Sequence, residues 1–257
     1  MRLAGAVGLT LATLASPLAA ARVPAVAAAA DLQYALTEIA DAYRRSTGNE
    51  VRIAFGSSGN FARQIEHGAP FELFLSADEA YVERLVRGGL TRDGGSLYAI
   101  GRIALFVPRG SPLLADASLA DLGSALRERR VKRFAIANPE HAPYGRAARE
   151  ALNRAGLWDA LSPVLVLGEN AAQATQFAAG GEAQGGIIPW SLAKAPTVAR
   201  LGTAVPLPAD WHAPLRQRMV LLRTASAPAV AFHAYLGSPE ARRIFARHGF
   251  ALPGEAG

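Results

Sequence analysis

The sequence of 257 residues contains no cysteine. Its absence excludes disulfide bonds, thiolate metal sites and a lipid anchor on an N-terminal cysteine. Lysine is almost absent too, since only Lys132 and Lys194 occur, and the formal charge of +6 therefore comes almost wholly from arginine. The arginines are scattered among acidic residues, which indicates a solvated surface and not a nucleic-acid-binding one.

Long hydrophobic runs are absent beyond the N-terminus. There, Arg2 precedes the apolar run "LAGAVGLTLATLASPLA", and the alanines 19–21 fit a small-x-small cleavage site. We interpret residues 1–21 as a signal peptide cleaved near Ala21. A membrane helix is the less favoured alternative, because the run is short and is broken by Pro17. The remaining chain is expected to be exported, without membrane insertion.

Apolar strand candidates alternate with helix candidates along the rest of the chain. The strand candidate "VPAVAAAA" is followed by a pattern of apolar residues at helical spacing, from Leu32 to Tyr43. The second half repeats this order with "RFAIAN", a helix from about Arg146 to Ala155, "PVLVLG" and "GGIIP". Such alternation predicts an α/β fold of two lobes, each a mostly parallel sheet flanked by helices. The chain is expected to cross between lobes around residues 101–108 and 211–222.

At four places a helix candidate begins directly after a strand candidate. They are Ala30-Asp31, Gly56-Ser57-Ser58-Gly59, Pro143-Tyr144-Gly145 and Gly168-Glu169-Asn170-Ala171. The first turn of a helix has unpaired N–H groups and the positive end of the helix dipole. Because ligands of α/β sheets bind beyond the carboxyl ends of strands, each start is a candidate anion site. Any one of them alone is more simply an ordinary helix cap.

The segment "GSSG" offers two hydroxyl groups and little steric bulk. It is not a phosphate-binding P-loop, since no Gly-Lys-Ser/Thr follows. Asn60 also stands where the nucleophile elbow of a hydrolase needs a glycine. An exported hydrolase that uses Ser57 or Ser58 is a weaker alternative, because no positioned His–Asp pair is identifiable. His141 is expected to order its loop by a hydrogen bond and not to bind a metal.

Several blocks together resemble the periplasmic molybdate-binding proteins of ABC transporters: "FGSSGNFARQIEHGAPFELFLSAD", "NPEHAPYGRAAREAL", "GLWDALSP", "LGEN" and "GGIIPWSLA". The resemblance implies a type II periplasmic binding fold, with residues 22–101 plus 213–257 in lobe 1 and 102–212 in lobe 2. It implies a monomeric binding protein, and no enzyme, that delivers molybdate, and also tungstate, to an inner-membrane permease. No cofactor is implied, and molybdenum enters only as the bound oxyanion. Sulfate, a phosphonate or an organic acid is the alternative ligand.

The resemblance also implies a set of ligand-binding positions: Asp31, Ser58, Tyr144, Ala171 and Pro189. A second group of candidates is adjacent to these in sequence: Ser57, Gly59, Asn170 and Trp190. Two positions depart from the family pattern, because Asp31 replaces a serine or threonine and Pro189 replaces a tyrosine. Proline has neither N–H nor hydroxyl. We therefore hypothesise that Tyr144 supplies the missing phenol.

Asp31 leaves three interpretations open. Its carboxylate caps its own helix, which is common at helix starts. Alternatively it points at the ligand, with either the carboxyl group or the ligand protonated. In the third interpretation Asp31 joins the metal centre, or the ligand is not molybdate. A carboxylate beside a dianion is repelled by it, so these interpretations predict different dependences of affinity on pH.

Overall fold

The computed structural model describes residues 23–254, so the proposed signal peptide lies outside the described residues. In this part of the chain ten strands form two sheets: β1 (Ala25–Ala29), β2 (Arg52–Gly56), β3 (Leu73–Ser76), β4 (Ser96–Gly101), β5 (Ile103–Pro108), β6 (Phe134–Ala137), β7 (Leu165–Gly168), β8 (Gly185–Pro189), β9 (Gly202–Pro206) and β10 (Leu215–Leu221).

Helices cover the sheets and connect the strands. They are α1 (Gln33–Thr47), α2 (Ser58–Glu66), α3 (Glu79–Arg87), α4 (Ala120–Arg127), α5 (Pro143–Arg154), α6 (Trp158–Leu161), α7 (Ala171–Ala179), α8 (Trp190–Ala193), α9 (Pro196–Ala199), α10 (Ala227–Leu236) and α11 (Pro239–Arg247). Short 3-10 turns lie at Ala30–Leu32, Ser162–Val164 and Ala209–Trp211.

The two sheets have the same topology. The first has the strand order β2-β1-β3-β10-β4, and the second has the order β7-β6-β8-β5-β9. In each sheet the first three strands are parallel, and the fourth runs antiparallel to both of its neighbours. We call the first sheet with its flanking helices the first lobe, and the second sheet with its helices the second lobe. The fourth strands, β10 and β5, each directly follow a crossing of the chain from the other lobe.

The predicted α/β fold of two lobes is confirmed, and its cause is visible in β1. All five residues of this strand, "AVAAA", are buried, because neighbouring strands and helices enclose it on every side. Small side chains there let the helices approach the sheet closely. Parallel strands must be covered on both faces, which explains the alternation of strand and helix in the sequence.

Some element boundaries differ from the sequence-based prediction. Helix α5 begins at Pro143 and not near Arg146, because proline is well suited to the first helical turn, where its missing N–H is not needed. Strand β9 and the short helices α8 and α9 were absent from the prediction. Each of these three elements has at most five residues, too few for a periodic pattern to show.

Candidate functional site

A small cavity lies between the lobes where four helix starts meet. Its volume is about 10 Å³, roughly the space of a single water-sized sphere. Pockets for drug-sized organic ligands start at roughly 300 Å³, so this one is far too small for such a ligand. The residues that line it come from both lobes: Ala29, Ala30, Asp31, Gly56, Ser57, Ser58, Ala77, Ala142, Pro143, Tyr144 and Ala171. The sequence predicted all four helix starts that meet here.

In the first lobe the start of α2 presents two serines. Ser57 is the N-cap residue, and its Oγ accepts from the Asn60 N–H at 3.4 Å. The Ser58 side chain is fully buried, and its Oγ accepts from the Ala77 N–H at 3.0 Å. A hydroxyl that accepts from the backbone keeps its own proton for another acceptor. Ser58 therefore has a donor available at the cavity.

In the second lobe the start of α7 is ordered by Asn170. Its Oδ1 accepts from the N–H groups of Ala172 and Gln173, at 3.0 and 3.1 Å. Asn170 thus satisfies two of the N–H groups that the first turn leaves without a helical acceptor. Ala171 precedes these two residues and itself lines the cavity. Asn170 is therefore a capping residue and does not line the cavity.

Asp31 lies in the turn before α1 and is only 1% exposed. Its Oδ2 accepts from the Tyr144 hydroxyl at 2.9 Å and from the Gln217 Nε2 at 2.6 Å. Neither the 3-10 turn nor α1 receives a side-chain cap from it. The interpretation of Asp31 as a helix cap is therefore wrong, because its carboxylate caps neither element and accepts instead from Tyr144 and Gln217.

The hydrogen bonds extend beyond Asp31 into the first lobe. The Tyr98 hydroxyl donates to the Gln217 Oε1 at 2.8 Å, and the Gln217 side chain is fully buried. Ser191 of α8 donates to the Asp31 carbonyl oxygen at 2.9 Å. Tyr144 and Ser191 belong to the second lobe, so both lobes hold Asp31 in place.

Burial governs the acidity of this cluster. Desolvation raises the pKa of Asp31 from 3.8 to about 6, although the hydrogen bonds from Gln217 and Tyr144, and the proximity of its own backbone N–H, act in the opposite direction. Burial, and then the charge of Asp31, also raise the pKa of the Tyr144 hydroxyl well above 10.0. Tyr144 is therefore a neutral donor at any physiological pH.

Gly101, at the end of β4, is required by this cluster. A Cβ atom at this position would lie 2.3 Å from the Tyr144 hydroxyl oxygen and 2.9 Å from the Gln217 Nε2. Both distances are far inside van der Waals contact. Only glycine leaves room for the Tyr144 side chain to reach from the second lobe to Asp31.

Sequence reasoning missed Gln217 and Tyr98. A signal for Gln217 was present, since in "LRQRMVL" it alternates with Leu215 and Met219, which point to the same buried side of β10. A polar residue at a buried position of a strand needs a buried partner. The identity of that partner depends on the sheet order, which the sequence does not give.

A second set of contacts joins the lobes beside the cavity. The His141 Nδ1 lies 3.1 Å from the Ser57 Oγ, and its Nε2 lies 3.5 Å from a carboxylate oxygen of Glu169. The expected loop hydrogen bond of His141 is thus made to the other lobe. A serine, a histidine and an acid do come together, which sequence reasoning had not identified. The Ser57 Oγ, however, serves as a helix cap.

The remaining predicted residues lie outside the cavity lining. The Gly59 N–H donates to the His141 carbonyl oxygen at 3.0 Å, which links the lobes. Pro189 is buried at the end of β8 and pairs with Ile103 of β5. Trp190 begins α8, where the Lys194 ammonium lies 5.9 Å from its ring centroid.

Two features are absent from the described residues 23–254. No helix there is both long and apolar enough to cross a membrane. Within the same range, no group of three or more His, Cys, Asp or Glu side chains is placed to hold a metal ion.

Comparison with known proteins agrees with this geometry. Residues 24–251 match the family model described as bacterial extracellular solute-binding protein. The chain is 37% identical over 251 residues to the molybdate-binding protein ModA of Rhodobacter capsulatus, with 96% of this chain and 95% of that protein covered. It is 36% identical over 230 residues to ModA of Azotobacter vinelandii, covering 88% and 89% of the two chains.

The solved structure titled as the Azotobacter vinelandii periplasmic molybdate-binding protein superposes with a TM-score of 0.80. The sequences are 30% identical, and the match covers 90% of this chain and 99% of that one. These relatives and the family model describe solute-binding proteins, not enzymes. The chain belongs to the family of bacterial extracellular solute-binding proteins.

Proposed function

We propose that this protein binds molybdate, and with it tungstate, in the cavity between the lobes and delivers it to an ABC permease. The observation that carries the proposal is the small cavity between the lobes, at the meeting point of four helix starts. Helix N-termini attract anions without a counter-cation. The relatives named molybdate-binding protein support this oxyanion over others.

The donors that we assign to the anion come from both lobes. From the first lobe, the Ser58 hydroxyl and backbone N–H donate, with Ser57 beside them. From the second lobe, the Ala171 N–H donates. Asp31 contacts the anion and Tyr144 positions Asp31, whereas Gly59, Asn170, Pro189 and Trp190 lie outside the cavity lining and are assigned no contact with the anion. Neutral donors neutralise an oxyanion locally, and the size of the cavity then selects among oxyanions.

Binding is proposed to depend on the two lobes moving relative to each other. We assign residues 22–101 and 213–257 to lobe 1, and residues 102–212 to lobe 2. Donors from both lobes surround the cavity, so an anion enters and leaves only when the lobes separate. The protein is proposed to be a monomer that is exported to the periplasm and cleaved near Ala21. Its closed form docks on the permease.

Calorimetric titration of the chain from Val23 onward tests this function directly. Molybdate and tungstate are each expected to bind one per chain, with Kd below about 1 µM. Sulfate and phosphate serve as controls of similar geometry and smaller size, and we expect them to bind at least tenfold more weakly. Absence of binding to both molybdate and tungstate, or tighter binding of phosphate, would overturn the proposal.

A further inference from the structure

Asp31 has a carboxylate oxygen that the protein leaves without a partner. Its Oδ2 accepts two hydrogen bonds, but its Oδ1 is buried and has none. Buried polar atoms are nearly always hydrogen-bonded, and each exception needs an explanation. Because Asp31 lines the cavity, the bound ligand is the natural partner of the Oδ1.

The groups around Asp31 provide no positive charge. The titratable groups that face it are the phenols of Tyr144, from α5, and Tyr98, from β4. The Gln217 amide reaches it from β10, and Ser191 of α8 donates to its carbonyl oxygen. No lysine or arginine is among the cavity-lining residues of the described chain. An ionised Asp31 and a dianion would therefore repel each other at contact.

We propose that the anion binds together with one proton, which is held in a hydrogen bond between the Asp31 Oδ1 and an oxygen of the anion. This inference rests on the proposed function and specifies that one proton is taken up with each anion. The proton comes from solvent, so the Asp31 carboxyl group and the anion together carry a charge of about −2 in the complex, and not about −3 as the carboxylate and the dianion would. The carboxyl group then acts as a donor, as the serine hydroxyl at this position does in the related pattern.

The acidity of Asp31 makes this uptake accessible near neutral pH. Burial already raises the pKa of Asp31 to about 6 in the chain without ligand. A dianion in contact raises it further, because the charge of the dianion favours the neutral carboxyl group. By linkage, the proton and the anion strengthen each other's binding by the same factor. Affinity is expected to fall as pH rises above about 6 and to level off below it.

The arrangement also favours molybdate and tungstate over sulfate, because of the basicity of their oxygens. An oxygen of molybdate or tungstate is more basic than an oxygen of sulfate and accepts the Asp31 proton more strongly. A fully ionised sulfate would meet the same carboxyl group with a weaker acceptor. Asp31 is thus a specificity-determining residue whose effect adds to that of cavity size.

Calorimetry measures directly how many protons are taken up per anion bound. Molybdate is titrated into the wild-type protein at pH 7.5 in several buffers that differ in their enthalpy of ionisation. We expect the observed enthalpy to vary linearly with the buffer enthalpy, with a slope near one proton taken up per anion. Between pH 7 and pH 8 the affinity is expected to fall roughly tenfold.

Two variants provide the matched comparison. Asp31→Asn retains the shape and places an N–H donor at the cavity, and Asp31→Ser restores a hydroxyl. Both are expected to bind molybdate with no proton uptake and with an affinity that changes less than twofold between pH 7 and pH 8. Circular dichroism confirms that each variant is folded before titration.

The outcomes separate this inference from the proposed function. If wild-type protein binds molybdate with no proton uptake, the inference is overturned while the function stands. Loss of binding in both folded variants, together with no proton uptake in the wild type, would point to coordination of molybdenum by the carboxylate. If wild-type protein binds neither molybdate nor tungstate even at pH 6, both proposals fail.

Discussion

The two lobes have the same sheet topology but contribute different chemistry to the cavity between them. The first lobe brings a carboxylate and two hydroxyl groups, from Asp31, Ser57 and Ser58. The second brings one phenol, which is engaged with Asp31, and otherwise alanine and proline. Equivalent positions in a duplicated topology are thus not equivalent in function: the first lobe carries the polar side chains, and the second closes over them.

Replacing Gln217 is expected to have the largest effect, which is on the free energy of unfolding. Gln217 donates to the buried carboxylate of Asp31 and holds it in place. In Gln217→Met, Asp31 keeps one donor, and the Tyr98 hydroxyl keeps only the longer contact of 3.3 Å to the Ser76 carbonyl oxygen. We expect the free energy of unfolding at pH 8 to fall by about 3 kcal/mol. Urea denaturation measures this, with the exposed Gln64→Met as the matched control.

The sign of the pH dependence follows from the raised pKa of Asp31, from 3.8 to about 6. Asp31 contributes stability that is fully present below its ordinary pKa and is lost as pH rises through about 6. This loss amounts to about 3 kcal/mol at most. The Gln217→Met effect should accordingly shrink at pH 5, where Asp31 is protonated. An equal loss at both pH values would contradict the assigned role of Gln217.

Removing one hydroxyl from the first lobe tests the anion donors. Ser58→Ala deletes a buried hydroxyl that accepts from the Ala77 N–H and has its own proton free for the ligand. A hydrogen bond to a charged group contributes about 1.5–3 kcal/mol, so molybdate affinity should fall roughly 10- to 100-fold. Ser124→Ala, in α4 of the second lobe, is the control and should bind as the wild type does. An affinity of Ser58→Ala within twofold of the wild type would exclude Ser58 as a donor.

The smallest effect is expected for the phenol of the second lobe. The single hydroxyl proton of Tyr144 is donated to Asp31, so Tyr144→Phe should change affinity at pH 6 by less than about threefold. Loss of this bond raises the pKa of Asp31 further, so the decline of affinity should begin at higher pH.

If Tyr144 instead contacts the anion, the affinity of Tyr144→Phe for molybdate should depend on pH in a different way. If this residue supplies the phenol that is missing at Pro189, Tyr144→Phe should weaken binding at every pH, including pH 6. Titration of both proteins at pH 6, 7 and 8 separates the two roles. Tyr34→Phe is the control, since its hydroxyl joins the lobes through Thr197 outside the cavity.

Local patterns in the sequence predicted the helix starts of the site well. Alternation of strand and helix placed Asp31, Ser58, Tyr144 and Ala171 at equivalent ends of strands, and these four residues do line one cavity. Pro189 ends strand β8 and Trp190 follows it, yet both lie outside the lining. Their position depends on which strand ends meet between the lobes, and that depends on packing over long sequence distances.

The sequence by itself determined the alternating α/β order, the four helix starts and the small side chains that allow close approach at the cavity. These depend on neighbours within a few residues, for which spacing is a sufficient guide. Only the tertiary structure decided the state of Asp31. Its donors, Tyr144 and Gln217, lie 113 and 186 residues away in sequence. The burial that raises its pKa exists only once the two lobes have packed against each other.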